Sequence, residues 1–162
     1  MSTEISIRPE RADHPQVVAL LDQLDAYLAA LYEPEANHIL STAELLAPEV
    51  SFLAAWQADR VVGTGAVRRM PGDAQTSGQA FGEIKRMFVD PAVRGQRIAE
   101  RLLAWLEDSL AAHGVSLALL EAGSDQTEAV RLYERCGYVR RGPFCGYADN
   151  GLSLFYGKCL AP

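Results

Sequence analysis

The stretch from Phe81 to His113 constrains this chain more than any other. Phe81 to Val89 reads as a strand that Asp90-Pro91 ends, and a long helix follows from about Gly95 to His113. Ile98, Leu102, Leu103, Leu106 and Leu110 recur at helical spacing and predict its buried stripe, with Glu100, Arg101, Glu107 and Asp108 outside. Gly114 stops it in the C′ role. A strand that passes through a short loop into a helix leaves the first helical N–H groups without partners, and the helix dipole adds positive charge there. Gly95 lets another group approach the backbone closely, while Arg94 and Arg97 add two charges. The pattern predicts an anion site, most naturally for phosphate or pyrophosphate. The alternative is an ordinary helix start with solvated arginines. The loop lacks the Gly-Lys-Ser/Thr of a Walker loop and the three glycines of a dinucleotide fingerprint.

The rest of the chain supplies the elements around this unit. Ile5 and Ile7 alternate with polar neighbours, as in a short strand. Asp13-His14-Pro15-Gln16 reads as a helix start with Asp13 as cap, and Val17, Leu20, Leu21, Leu24, Leu28 and Leu31 form its apolar stripe. A loop from Tyr32 to Leu40 leads to a short helix, Thr42 to Leu46, with Ser41 and Glu44 placed for a capping box. Val50–Gln57 and Val61–Met70 flank Ala58-Asp59-Arg60 as a hairpin. Pro71 to Gln79 reads as a long mobile turn. Val115 to Glu121 is an apolar strand of the kind covered on both faces. Asp125 is the expected cap of the next helix, which Gly137 ends. Tyr138–Arg140 and Leu152–Leu160 are the last strands. The order β-α-α-β-β-β-α-β-α-β-β is α/β with a mixed sheet and no linker.

Composition narrows the class. The chain has 162 residues, 49% apolar and 22% charged, which suits one globular domain. Fifteen basic against 21 acidic residues give a net charge of −6, which argues against a nucleic-acid partner. Yet Lys85, Arg86, Arg94 and Arg97 gather around the predicted helix start. No apolar run approaches the roughly 20 residues of a membrane span. Met1-Ser2-Thr3-Glu4 lacks the features of a signal peptide, so a cytoplasmic location is expected. Cys136, Cys145 and Cys159 form neither a disulfide framework nor a metal site. His14 and His113 read as helix-end residues.

The stretch Arg94-Gly95-Gln96-Arg97-Ile98-Ala99 resembles motif A of the GNAT N-acetyltransferases, the loop Q/R-x-x-G-x-G/A. Arg94 takes the Q/R place, Ala99 the last, and Arg97 stands where the central glycine is usual. The notable departure is Arg97, whose N–H is still expected to donate from ordinary helical geometry. Ala129-Val130-Arg131-Leu132-Tyr133-Glu134-Arg135-Cys136-Gly137-Tyr138 is similar to the family's later motif, N-x-x-A-x-x-L-Y-x-x-x-G-F/Y, with Gln126 where Asn is common. Leu31-Tyr32-Glu33-Pro34-Glu35-Ala36-Asn37-His38 resembles the L-Y-P-P-E-S-N-H run of a bacterial subgroup. The resemblance spans nearly the whole chain.

It implies a single domain of the GNAT fold: a mostly antiparallel sheet of about seven strands, flanked by about four helices and splayed between the fourth and fifth strands. It implies acetyl-CoA as cosubstrate. Met87, Phe88 and Val89 would offer backbone to pantetheine, the rival reading of Met87 and Phe88 being plain core. Arg94, Gly95, Gln96, Arg97, Ile98 and Ala99 would cradle the pyrophosphate, and Gln126 is a further candidate for binding the cofactor. Glu83 is the candidate general base, or else a solvent-facing strand residue or a salt-bridge partner of Lys85 or Arg68. Tyr133 is the candidate general acid. Tyr32, Asn37, His38, Arg68 and Arg86 are candidates for binding the acceptor, a small-molecule amine such as an amino acid derivative or a polyamine-like amine. Transfer to protein N-termini or ribosomal proteins, and a non-catalytic acyl-CoA-binding module, are the alternatives. A homodimer through the last strands is expected from the same resemblance.

Overall fold

In the computed structural model, which describes residues 4–34 and 38–160, seven strands form one sheet in the order β1-β2-β3-β4-β5-β7-β6. They are β1 (Ile5–Pro9), β2 (Val50–Gln57), β3 (Arg60–Met70), β4 (Phe81–Val89), β5 (Leu117–Gly123), β6 (Val139–Arg141) and β7 (Ser153–Cys159). The helices are α1 (Pro15–Leu31), α2 (Thr42–Leu45), α3 (Ile98–Ala112) and α4 (Thr127–Arg135). Every neighbouring pair is antiparallel except β4 and β5.

That parallel pair positions the site. It is registered only at Gly82/Ala118, Glu83/Leu119 and Ile84/Leu120. From Lys85 onward β4 bends away, because one extra residue on β4 forms a bulge against β3 between Thr64 and Ala66. Arg86 lies at the bulge in the left-handed region (φ 56°). Thr64 Oγ1 holds it there by donating to the Arg86 carbonyl (2.9 Å). The sheet therefore splays at its centre.

Each face of the sheet is covered. Ile98, Leu102, Leu103, Leu106 and Leu110 of α3 pack on Val62, Val67, Ile84, Ala118 and Leu120. Val17, Leu20, Leu21 and Leu24 of α1 pack on Phe52, Ala54 and Trp56. Leu119 faces Phe81, Phe144 and Phe155, so β5 is buried on both sides as its composition predicts. Leu31, expected in the buried stripe of α1, is exposed at its C-terminus.

Three local expectations change. His14, not Asp13, caps α1: its Nδ1 accepts from Gln16 N–H (3.1 Å), because Asp13 is held in a two-pronged pair by Arg11. Helix α4 begins after Gln126, which makes no side-chain cap, and the Asp125 N–H instead donates to the Tyr32 hydroxyl (3.0 Å). The segment read as a long mobile turn contains a 3-10 turn, Ala74–Thr76, closed by a reciprocal Asp73–Thr76 box. The Ser41–Glu44 capping box forms as expected.

Candidate active site

Helix α3 starts at Ile98, later than the pattern around Gly95 predicts. Gly95 (φ 91°) and Arg97 (φ 58°) both take left-handed backbone and keep the loop out of the helix. Arg97 is thus not in ordinary helical geometry. It is the N-cap, and its side chain caps nothing. The first N–H groups of α3 are left for an outside partner.

This end of α3 opens onto a groove of about 720 Å³ that runs between β4 and α4, lined by Phe88, Val89, Gly95, Arg97, Asp125 and Arg135 among others. Arg94, Ile98 and Ala99 also line it. Arg94 is tied to the end of β4: its Nε donates to the Val89 carbonyl (3.1 Å), its guanidinium lies over Phe88 (5.7 Å), and Glu128 is 3.6 Å away. Gln96 turns back to the Val93 carbonyl and does not line the groove. Met87 and Phe88 pack their side chains against the two halves of the core, while their backbone lies on the part of β4 that β5 leaves unpaired.

The predicted cluster of four cations is split by this geometry. Arg94 and Arg97 face the groove, whereas Lys85 and Arg86 face a second, smaller cavity of about 110 Å³. Arg86 is paired with Asp25 (2.6 Å) and its buried Nε has no partner. Lys85 donates to the His38 carbonyl (2.6 Å). Tyr32, His38, Glu121 and Ser153 complete the polar lining. The Tyr32 ring fits over Gly123, where a Cβ would collide with it. Asn37 lies outside the described residues.

Tyr133 belongs to both cavities, as do Met87, Leu24 and Gln126. It sits on α4, is 7% exposed, and packs edge-on against Tyr138. Burial pushes its hydroxyl well above the usual phenol range. Gln126 holds the end of β5 by accepting from Gly123 N–H (2.8 Å).

Glu83, expected as general base, does not line the small cavity. It is fully buried. Arg68 Nη2 donates to one oxygen (3.0 Å), and the Tyr147 hydroxyl (2.7 Å) and Lys85 Nζ (3.5 Å) donate to the other. Its burial overturns the solvent-facing reading of Glu83, and its contacts are those of the salt-bridge partner. Arg68, expected at the acceptor, is drawn to Glu83 and lines a different cavity, of about 650 Å³, beside the 70–75 turn.

Three residues here were not singled out from the sequence: Glu121, Ser153 and Tyr147. Glu121 Oε2 lies 2.6 Å from His38 Nδ1 and accepts from Ser153 Oγ (2.6 Å). Tyr147 stacks on the His38 ring at 4.4 Å between centroids. A lone carboxylate on the otherwise apolar strand β5 was the available signal for Glu121. Ser153 and Tyr147 carried none.

Residues 17–138 match the family model described as the Acetyltransferase (GNAT) family. The chain belongs to that family. This acetyltransferase is 42% identical over 156 residues to the IAA acetyltransferase of Azospirillum brasilense, covering 96% of this chain and 98% of that one. A putative acyl-CoA N-acyltransferase from Klebsiella pneumoniae superposes with a TM-score of 0.77 at 31% identity, over 98% of this chain and 99% of that one. The PaiA N-acetyltransferase from Thermoplasma acidophilum, solved with coenzyme A, shares the fold at 16% identity (TM-score 0.72, 96% and 99% covered).

The cosubstrate of the acetyltransferase is acetyl-CoA, and the groove fits it. The α3 N-terminus is uncapped, a Cβ at Gly95 would meet open space, and the β4 backbone beyond Ile84 has no partner from β5. Among the described residues no helix is long and apolar enough to cross a membrane.

Arg97 gives a direct test of the loop. A side chain in the left-handed region costs about 1 kcal/mol that glycine does not. Arg97→Gly and Arg97→Ala both remove the charge, so both are expected to weaken CoA binding several-fold. Only Arg97→Gly relieves the backbone, and it should be about 1 kcal/mol more stable than Arg97→Ala in denaturant titration. Equal stabilities would show that residue 97 is not left-handed in solution.

Proposed function

We propose that this acetyltransferase moves the acetyl group of acetyl-CoA to the primary amine of a small molecule, an amino acid derivative or polyamine-like amine. The observation that carries this is the meeting of the two cavities at Tyr133. A long groove for the cosubstrate ends where a small polar chamber for the acceptor begins. Bound acetyl-CoA supplies an activated thioester carbonyl and a thiol leaving group.

The chain's own residues do the rest. Backbone at Met87–Val89 and the uncapped start of α3 orient the cosubstrate. A phenol carries its proton at neutral pH and burial raises the Tyr133 hydroxyl further, so it is a donor in waiting at the leaving sulfur. Arg86 and His38 line the acceptor chamber, where Arg86 offers charge to an acidic group on the acceptor. Glu83 ties Lys85, which lines that chamber, to Arg68 and Tyr147. A chamber of about 110 Å³ admits the reacting end of a small amine.

The test is thiol release from acetyl-CoA against a panel of amines, amino acids, peptides and IAA. The expected result is turnover with small amines and none with peptides. Thiol release with peptides alone would move the reading to protein termini, and silence throughout would leave a binding module. In parallel, CoA at 100 times its Kd adds about 2.7 kcal/mol to the folded state, and Tm should rise by roughly 5–10 °C. No rise would remove the groove as the cosubstrate site.

A further inference from the structure

We propose that His38 and Glu121, not Glu83, take the proton from the acceptor amine. The inference rests on the transferase reading above and assigns a residue to its other half-reaction. Three observations carry it. His38 and Glu121 both line the small chamber that Tyr133 shares, and Glu83 does not. Each Glu83 oxygen is already an acceptor within the Arg68–Lys85–Tyr147 cluster. And the His38 ring is held in place from several sides.

An ionised carboxylate is an acceptor only. With Glu121 Oε2 as the acceptor of this 2.6 Å contact, the ring proton is assigned to His38 Nδ1, which leaves the Nε2 lone pair free to accept one. The Ser153 hydroxyl donates to the same Glu121 oxygen and steadies it. Lys85 Nζ grips the His38 carbonyl, fixing the main chain. Tyr147 stacks on the ring at an interplanar angle of 21°, fixing its plane. A base oriented by a carboxylate through its far nitrogen is the arrangement that acid–base catalysis needs. Here His38 is the catalytic base and Glu121 its positioning residue.

The balance closes. An alkylammonium in the chamber gives one proton to His38 Nε2. The freed electron pair forms the C–N bond while the thioester C–S bond breaks. The sulfur takes the Tyr133 proton, and the second proton shed by the nitrogen restores Tyr133. His38 returns its proton to water.

The experiment uses the full chain and an amine that the wild-type protein turns over. His38→Ala should lower kcat roughly 100- to 1,000-fold, and added imidazole should restore at least tenfold of that loss. Glu121→Gln should lower kcat about tenfold with the KM for the amine within twofold of wild type, a split that a collapsed chamber would not give. If His38→Ala melts well below wild type, His38→Gln replaces it with the same expected loss. The inference is overturned if His38→Ala and His38→Gln both keep kcat within twofold. It is also overturned if a folded, inactive His38→Ala gains nothing from imidazole. If the wild-type protein turns over no amine, the transferase reading fails first and this one falls with it.

Discussion

Tyr133→Phe is expected to lower kcat by about 100-fold while leaving the KM for acetyl-CoA within twofold. The substitution removes one oxygen and keeps the ring. The packing against Tyr138, with centroids 6.0 Å apart, survives, and so does the wall that Tyr133 gives to both cavities. The loss is then confined to the proton that the departing sulfur needs. Burial holds the hydroxyl above its usual range, so the wild-type donor stays protonated through the working range. No alkaline loss of kcat from this group is expected below about pH 10, where a free phenol would already titrate. A donor thioester with a more acidic leaving thiol needs less help, so the Tyr133→Phe defect should shrink with it. A Tyr133→Phe enzyme that keeps kcat within about twofold would take the acid role away from this residue.

Strand β4 was legible from its composition to the residue, Phe81–Val89, because a strand bounded by an aromatic and by Asp-Pro carries its own ends. The Ser41–Glu44 box was legible for the same reason: both partners lie within one turn. The start of α3 was not. Periodicity sees the apolar stripe, but the loop is set by backbone at Gly95 and Arg97, and an arginine in the left-handed region has no sequence signature. Caps failed where a competing partner intervened, as Arg11 does at Asp13. The four cations looked like one cluster along the chain, yet the β4 bulge at Arg86 leaves Lys85 and Arg86 together on the acceptor side, while Arg94 and Arg97 lie beyond the end of the strand, on the groove. The acceptor chamber was the least legible part. His38 meets Glu121 across 83 residues of chain, and Tyr147 arrives from a loop with no periodicity. Ser153 reaches Glu121 through the pairing of β5 with β7, which no local pattern encodes.

Replacing Glu83 with glutamine is expected to destabilise the fold by about 3 kcal/mol, lowering Tm by roughly 6–12 °C. The carboxylate has no exposure at all, and the side chains of Lys85 and Arg68 are 9% and 22% exposed. Removing its charge leaves two largely desolvated cations with no anion between them, and Arg68 Nε already lacks a partner. An unpaired buried charge costs more than the pair was worth, which is why breaking such a cluster from one side is severe. The loss should therefore be strongly non-additive. Arg68→Met placed on Glu83→Gln should cost much less than Arg68→Met alone, since the second change removes a cation that the first had stranded. Tyr147 supplies an independent readout. Burial first, and then the Glu83 charge and hydrogen bond, hold its hydroxyl above the usual phenol range. In Glu83→Gln one tyrosine should ionise at lower pH in an ultraviolet titration. A stability loss under about 1 kcal/mol, with additive double substitutions and an unchanged titration, would mean that water reaches Glu83. A solvated Glu83 would be within reach of a water that could relay a proton to it, which favours the base role for this residue.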